Sequence, residues 1–490
     1  MDPDLSLPLN ITLSKSEKRV EGLTRQLREA IVTGRLVANM ALPSSRQLAS
    51  QLNVSRNTVL SAYDRLTSQG FLFARKGAGT FVSPNVTTPQ LKSVSKVSPT
   101  RVSVVEHWSH RRLSDMLLDQ PRSDIDFRIG YPETRYFPFS DWRRCLARAQ
   151  RQEEKDGMND ANPQGFRPLR IALTGILSRN RAIACQDDEL IVTQGTQHSL
   201  TLIATILVKV GITRIAMESP GYPMAKYLFE AAGAHVIDVP IDKHGICVDQ
   251  IPQNIDCVYV TPSHQFPMGM PLSLERRAAL LCLAKERGMV VIEDDYDSEI
   301  QLSRTPMDAM KTMDNHGSVF YLGTFSKVMY PGVRTGFILA PAWAKEALIT
   351  VRFLHSWCNP IVIQRALADF IICGHLRRHI AAMSRRYRLR HKILFQAMQK
   401  QSTWFTAVSV RAGVHATYLV DPSVCASTLS EHAAQVGIGV RALSQFTEPR
   451  LSSDIPVPNA LAFGLGCVNS KDISNAVFKL ADIAQQIAKK

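Results

Sequence analysis

Near the start of the chain, apolar positions recur at helical spacing over 26–33, 45–52 and 57–69. Two short β-like pieces follow, 72–75 and 80–83, around a Lys-Gly-Ala-Gly turn. Together they predict a compact unit over 15–83. Periodicity then stops. From Pro84 to about Ser123 the chain is rich in Ser, Pro, Val and Lys/Arg and poor in acids. It reads as a basic linker, with one short helix near 110–119. From about Asp124, strand-like apolar runs appear at 190–193, 214–218, 235–239, 257–261, 290–293, 319–322 and 336–340. Helical segments at 197–209, 224–232 and 274–287 fill gaps between them. This alternation predicts an α/β unit over 124–490, a mostly parallel sheet covered on both faces. Its large domain is expected over about 165–342. A long helix beyond Trp343 and a smaller α+β lobe are expected over about 343–490.

Composition narrows the setting. A chain of 490 residues allows two or three domains, and 45% hydrophobic residues suffice for a large core. The net charge of +15 favours a polyanionic partner. Nine cysteines include no CxxC pair, which argues against a disulfide framework and fits a reducing cytoplasm. The opening MDPDLSLPLN is acidic and proline-interrupted, unlike a secretory leader. The apolar run 200–208 is broken by threonines and is too short to span a bilayer. A soluble, cytoplasmic protein with no membrane partner and no metal site is expected.

The segment LPSSRQLASQLNVSRNTVLSAYDRLTSQGF carries the first functional signal. Ser45 can cap a helix with Leu48 and Leu52 on its apolar face, and Asn53 can make the turn. Ser55 can cap the next helix, with Val59, Ala62, Tyr63 and Leu66 inward. Arg46, Ser55, Arg56, Asn57 and Thr58 then lie near helix N-terminal ends, the part of a helix-turn-helix that enters the major groove. Arginine can donate two bonds to guanine; Asn and Ser/Thr reach bases or phosphates. Arg75 and Lys76 fall on the following β-turn, where Gly77 and Gly79 permit a tight reversal. A plain three-helix bundle would also display solvated arginines. The ordered succession of helix, turn, second helix and glycine-turned wing favours the double-stranded DNA reading.

Four further segments carry cofactor chemistry. EDDYDSE at 293–299 follows a strand and offers Asp294 as a carboxylate and Tyr296 as a hydroxyl donor. GTFSK at 323–327 follows another strand and offers Lys327 as an amine, with Thr324 and Ser326 as phosphate donors; Arg334 can reach the same phosphate. VTQGTQHSL at 192–200 places Gly195, Thr196 and Gln197 at a helix start, where free amides bind phosphate. ESPGYP at 218–223 offers Tyr222 as a stacking ring. Singly, each reads as an ordinary loop, turn or surface residue. Jointly they suit pyridoxal 5'-phosphate: an amine for its aldehyde, a carboxylate for its pyridine nitrogen, a cup for its phosphate. Three of them end predicted strands, where open α/β sheets bind ligands.

The N-terminal motifs QLREAIVTGRL, LPSSRQLA, VSRNTV, AYDRL and GAGTFV resemble the GntR-type winged helix. From DFRIGYP onward the chain resembles fold-type I aminotransferases, through YVTPSHQFPMG, RRAALLCLA, EDDYDSE and GTFSKVMYPGVRTG. The combination resembles the MocR family of regulators and covers nearly the whole chain except the linker. The resemblance implies that Lys327 condenses with the cofactor aldehyde, Asp294 partners the pyridine nitrogen and Tyr222 stacks. It places Gly195, Thr196, Gln197, Ser326 and Arg334 in the phosphate cup, and it implies a homodimer.

Three positions depart from aminotransferases. Phe266 stands where Asn is usual before Pro-x-Gly. Asp160 or Met158 stands where many relatives have a tyrosine that reaches the partner subunit's phosphate. The late strand ALAFGLG lacks the arginine that holds a substrate carboxylate, and Arg441 is the candidate substitute for binding an effector. The reading is therefore a regulator that responds to a small amino compound or to the cofactor itself. The alternatives are a working aminotransferase and a DNA-binding protein with a vestigial pocket.

Overall fold

The computed structural model describes residues 18–75, 79–84, 123–156, 162–300, 308–408, 413–446 and 455–489. The chain divides into two compact units, 1–111 and 112–490. The short helix expected near 110–119, Lys76 and Gly77 on the wing turn, and Met158 and Asp160 lie outside the described residues.

In the first unit, helices α1 (Arg19–Val32), α2 (Ser45–Leu52) and α3 (Arg56–Ser68) precede the antiparallel pair β1 (Leu72–Arg75) and β2 (Gly79–Val82). Helix α1 begins earlier than the 26–33 stretch suggested, because Leu23, Leu27, Ala30 and Ile31 form one buried stripe. The cap of α2 is Ser44, not Ser45. The Ser44 hydroxyl accepts from the Gln47 amide (3.3 Å), and the Gln47 side chain accepts from the Ser44 amide (3.0 Å). This reciprocal pair needs Gln three residues after the cap, a spacing that only Ser44 satisfies. Asn53 adopts the left-handed conformation (φ 51°, ψ 50°) that ends α2. Ser55 caps α3 by accepting from the Thr58 amide (3.1 Å). Val59, Ala62, Tyr63 and Leu66 are buried, and the Tyr63 hydroxyl donates to the Pro43 carbonyl (2.9 Å), tying α3 to the chain before α2.

The second unit contains β3 (Ile125–Asp126), helices α4 (Phe139–Asp156) and α5 (Arg167–Arg181), β4 (Leu190–Thr193), α6 (Thr196–Lys209), β5 (Arg214–Ser219), α7 (Pro223–Ala231), β6 (His235–Asp242), β7 (Gly245–Ile246), β8 (Cys257–Val260), α8 (Leu274–Arg287), β9 (Val290–Asp295), β10 (Val319–Thr324) and β11 (Gly336–Leu339). Strands β4 to β11 form one sheet in the order β4-β11-β10-β9-β8-β5-β6-β7. Within it β11 runs antiparallel to both neighbours and β7 antiparallel to β6, while the other pairs next to each other are parallel. Both faces are covered. Cys257, Tyr259, Ile292, Phe320 and Leu322 pack under α6 and α7, while Val258, Val260, Val291 and Val319 pack under α8. Along β4, β8, β9, β10 and β11 neither face meets water, so these strands read as continuous apolar runs.

Beyond β11 come α9 (Lys345–Ser356), α10 (Ile361–Ile372), α11 (His375–Gln399), β12 (Phe405–Ala407), β13 (His415–Val420), α12 (Ala426–Gln435), β14 (Ile438–Gly439), β15 (Arg441–Ala442), β16 (Ala460–Gly464) and α13 (Ile473–Ala488). A second, antiparallel sheet has the order β12-β13-β16-β15. The segment around β3 joins this lobe from far away in sequence. β3 pairs with β14, the Phe127 amide donates to the Gly439 carbonyl (2.8 Å), and the Gly464 amide donates to the Phe127 carbonyl (2.8 Å). The seat has no room for a side chain, since a Cβ on Gly464 would stand 1.9 Å from the Arg128 carbonyl oxygen. Gly464→Ala should therefore displace the 125–131 segment and destabilise the second unit by about 1–3 kcal/mol, the usual cost of overpacking. Thermal denaturation of the purified variant measures this; an unchanged midpoint would mean that the seat is not tight.

Candidate cofactor pocket and DNA-reading surface

The carboxyl ends of β4, β5, β8, β9 and β10 meet at one edge of the large sheet, and β11, running the other way, brings its start to the same edge. A cavity of about 430 Å³ opens there. It is lined by Thr196, Gln197, Tyr222, Asp294, Tyr296, Thr324, Ser326, Lys327, Arg334 and Arg441. Residues separated by more than two hundred positions thus share one wall, as expected for an open α/β sheet whose loops converge at its carboxyl edge.

The segment Glu293-Asp294-Asp295-Tyr296-Asp297 is buried throughout. Its carboxylates are satisfied differently because side chains alternate along β9. Glu293 accepts from the Met310 (2.8 Å) and Lys311 (2.7 Å) amides. Asp295 faces Arg181 (2.7 Å) and accepts from the Tyr321 hydroxyl. Asp297 faces His264 (2.9 Å) and accepts from the Val414 amide (3.2 Å). Asp294 points to the other face, where its Oδ2 accepts from the neutral Tyr259 hydroxyl (2.7 Å) and its Oδ1 has no partner among the described residues. Burial pushes Asp294 up to about 7, while the Tyr259 bond and nearby Lys327 favour its charge. An unpartnered buried carboxylate oxygen at a cavity wall suits a cationic N–H donor.

Lys327 follows β10. Its Nζ donates to the Gly130 carbonyl (2.7 Å), and burial lowers its basicity against the opposing pull of Asp297 and Asp294. A less basic amine is more often neutral, the form that attacks an aldehyde. The start of α6 and Arg334 line the same cavity. Gly195 has φ 91°, a backbone conformation that favours glycine, and α6 begins at Thr196 with its first amides unpaired within the helix. A Cβ on Gly195 would lie 3.8 Å from the Arg334 guanidinium, so this helix start and that cation flank one space. The Ser326 amide donates to Thr324 Oγ1 (3.2 Å), which turns the chain so that Ser326 and Lys327 both line the cavity. The residues present fit pyridoxal phosphate: a carboxylate oxygen awaiting a donor, a poorly basic amine, and a helix start with an arginine.

On the opposite wall, the Tyr222 ring packs edge-on against Phe266, with centroids 5.6 Å apart. Tyr296 lines the cavity, its hydroxyl 3.3 Å from His264 Nδ1. Arg441 opens β15 opposite Ala462 of β16, so it sits beside the strand that lacks an arginine; its guanidinium lies 5.6 Å from the centre of the Phe446 ring. Several lining residues escaped sequence reasoning. Tyr259 lay inside a quoted motif, but only its position on the face shared with Ile292 singles it out. Gly130 and Tyr131 come from the β3 segment. His415, whose Nε2 lies 3.0 Å from the Pro267 carbonyl, comes from β13. Gly130 and Tyr131 lie within the DFRIGYP motif, but nothing local marks these three as cavity residues, because each arrives by a long-range connection.

In the first unit, Arg46, Ser55, Arg56 and Asn57 are exposed and Thr58 is half-buried, around the N-terminal ends of α2 and α3. The Arg56 guanidinium donates to Ser45 Oγ (3.3 Å), so the residue displaced from the cap steadies the first residue of α3. On the wing, Arg75 lies over the Phe73 and Phe81 rings at 5.3 and 5.0 Å.

Residues 19–82 match the bacterial regulatory proteins of the gntR family, and residues 125–456 match aminotransferase class I and II. The chain is 34% identical over 396 residues to a Rhizobium meliloti protein named "Probable rhizopine catabolism regulatory protein MocR", covering 80% of each. It is 30% identical over 469 residues to the HTH-type pyridoxine biosynthesis transcriptional regulator PdxR of Corynebacterium glutamicum, covering 95% of each. It is 32% identical to the HTH-type transcriptional regulator TauR of Rhodobacter capsulatus, covering 77% of this chain and 79% of that one. Among solved structures, a Pyrococcus horikoshii kynurenine aminotransferase (TM-score 0.66, 23% identity, 80% and 95% covered) and an archaeal alanine:glyoxylate aminotransferase (TM-score 0.68, 21% identity, 80% and 96% covered) share the fold. No described helix is long and apolar enough to cross a membrane. The chain belongs to the MocR-type transcriptional regulators, in which a GntR helix-turn-helix precedes an aminotransferase-like domain.

Proposed function

We propose that this regulator binds pyridoxal 5'-phosphate in the cavity at the sheet edge, and that a small amino compound entering the same cavity changes its affinity for operator DNA. The observation that carries the reading is the Asp294 oxygen left without a partner beside the Lys327 amine. When bound, the cofactor supplies an aldehyde that takes up primary amines and a ring that withdraws electrons. Lys327 holds it covalently, and Asp294 holds a proton on the pyridine nitrogen. Thr196, Gln197, Ser326 and Arg334, with Gly195 giving access, bind the phosphate; Thr324 orients Ser326. Tyr222 covers the ring and Tyr296 bonds its hydroxyl. Arg441 faces the acidic end of the effector. An effector shifts DNA binding only through different affinities for two arrangements of the protein.

The proposed organisation is a winged helix over 15–83, a linker over 84–123 and a cofactor domain over 124–490, working in the cytoplasm as a homodimer that reads two half-sites. Two linked readers gain through effective concentration what one short recognition helix lacks. Sedimentation at micromolar concentration should show a dimer; a monomer that protects a single half-site at full affinity would overturn this part.

Lys327→Ala should lose the visible absorbance of the lysine-bound cofactor, and the mass that borohydride fixes on the Lys327 peptide should vanish. Operator binding without effector should persist while the response to effector is lost. Asp294→Asn should keep the covalent link with weaker cofactor retention, because the new side chain is neutral opposite the pyridinium. A borohydride-fixed mass in Lys327→Ala, or wild-type retention in Asp294→Asn, would refute these assignments.

Arg56→Ala should weaken operator binding by about 1–3 kcal/mol and relax preference at one base pair, as loss of a bidentate contact to guanine does. Titrations against singly substituted operators read both effects. A change confined to the salt slope would make Arg56 a phosphate contact, and no change at all would remove it from the interface.

A further inference from the structure

The exposed face of α11 (His375–Gln399) has no role in the cofactor cavity. Its 25 residues include no Asp or Glu. The inward stripe contains Leu376, Met383, Tyr387 and Leu394. At about 100° per residue, Arg377, Arg378, Arg385, Arg388 and Lys392 fall within an outward wedge about 100° wide. All five are exposed, and the other positions in the wedge, Ala381, Phe395, Gln396 and Gln399, are uncharged, with Phe395 at its edge half-buried. From Arg377 to Lys392 the wedge runs about 22 Å.

The helix's other arginines are used within the fold. Arg386 lies 3.4 Å from the centre of the Tyr136 ring, outside the wedge, and Arg390 turns inward to Glu133 (2.5 Å) and the Leu465 carbonyl (2.6 Å). Within the wedge, Arg378 donates to His375 Nδ1 (2.9 Å), while Arg377, Arg385, Arg388 and Lys392 face no carboxylate within ion-pair distance among the described residues. Arg385 and Arg388 are three apart, and Arg388 and Lys392 four apart, so like charges sit side by side, an arrangement that disfavours a helix unless an anion covers it.

We propose that this stripe is a second polyanion-binding surface, which holds the phosphate backbone of DNA flanking the sequence that the winged helix reads; it rests on the operator-binding reading above. A duplex offers one phosphate charge per about 1.7 Å of axis, so a stripe of this length can neutralise several. The DNA reader on the same chain delivers that polyanion, because flanking duplex is at high effective concentration once the operator is held. Phosphate contacts of this kind add affinity and position without sequence preference.

The test uses full-length dimeric protein and two duplexes, one confined to the operator and one with flanks two helical turns long on each side. Affinity is measured across a salt series. The wild-type slope of log affinity against log salt should be steeper on the long duplex by about 0.9 per phosphate held, about 2 to 4 in all. The variant Arg377→Gln/Arg385→Gln/Arg388→Gln/Lys392→Gln keeps good helix formers on an exposed face. It should abolish the extra slope and lower long-duplex affinity about tenfold or more at low salt, with short-duplex binding unchanged. Equal wild-type slopes on the two duplexes, or a variant that keeps the difference, overturn the proposal. A variant that keeps the difference but loses regulation in a reaction with purified RNA polymerase marks a protein-docking face instead. Failure to bind the short duplex would count against the operator reading; wild type and variant compared on the long duplex still test the stripe.

Discussion

The second unit is organised around burial of four carboxylates within five consecutive residues. Glu293, Asp294, Asp295 and Asp297 are all removed from water at the end of β9, and an uncompensated buried charge is costly. Much of the surrounding architecture supplies the compensation. The end of α5 brings Arg181 to Asp295, the turn before β10 brings two amides to Glu293, and the loop after β8 brings His264 to Asp297. These partners pin the loops that surround the cavity. Asp294 has a neutral hydroxyl as its partner and an oxygen open at the cavity wall, and burial raises its pKa to about 7, as it does that of Glu293. The fold thus sets donors against Glu293, Asp295 and Asp297 and leaves an oxygen of Asp294 open at the cavity wall.

Strand direction completes the cavity. The parallel strands deliver their following loops to one edge, which accounts for Gly195, Tyr222, Asp294 and Lys327. Arg334 precedes its strand and would lie at the far edge if β11 were parallel. The antiparallel pairing of β11 with β10 and β4 reverses it and sets the guanidinium beside the start of α6. The juxtaposition of a helix start and an arginine therefore depends on one strand running against its neighbours.

The first unit solves a smaller problem with local chemistry. Its caps, its left-handed Asn53 and the pairing of β1 with β2 are satisfied by near neighbours, and a single apolar stripe per helix closes its core. The side chains left outside include those at the N-terminal ends of α2 and α3. A rigid small core with an exposed helix start can present donors to a groove without rearranging, which keeps the entropic cost of reading DNA low.

The sequence by itself determined the two-part architecture, the helix-turn-helix, the alternation of strands and helices, and the motifs whose side chains line the cavity. These features are local: caps, turns and periodicities act over a few residues, and motif residues follow strands at short fixed offsets. Even the choice of Ser44 over Ser45 as cap is local, since only Ser44 has Gln three residues after it. Only the tertiary structure decided which of the neighbouring acids faces the cavity, because that depends on the phase of β9 between two covered faces. It alone paired Tyr259 with Asp294, seated the β3 segment against Gly464 so that Gly130 meets Lys327, and brought His415 and Arg441 to the cavity from the second sheet. Those contacts join residues up to several hundred positions apart, and their free energy comes from packing and charge compensation across the whole unit, which no local pattern encodes.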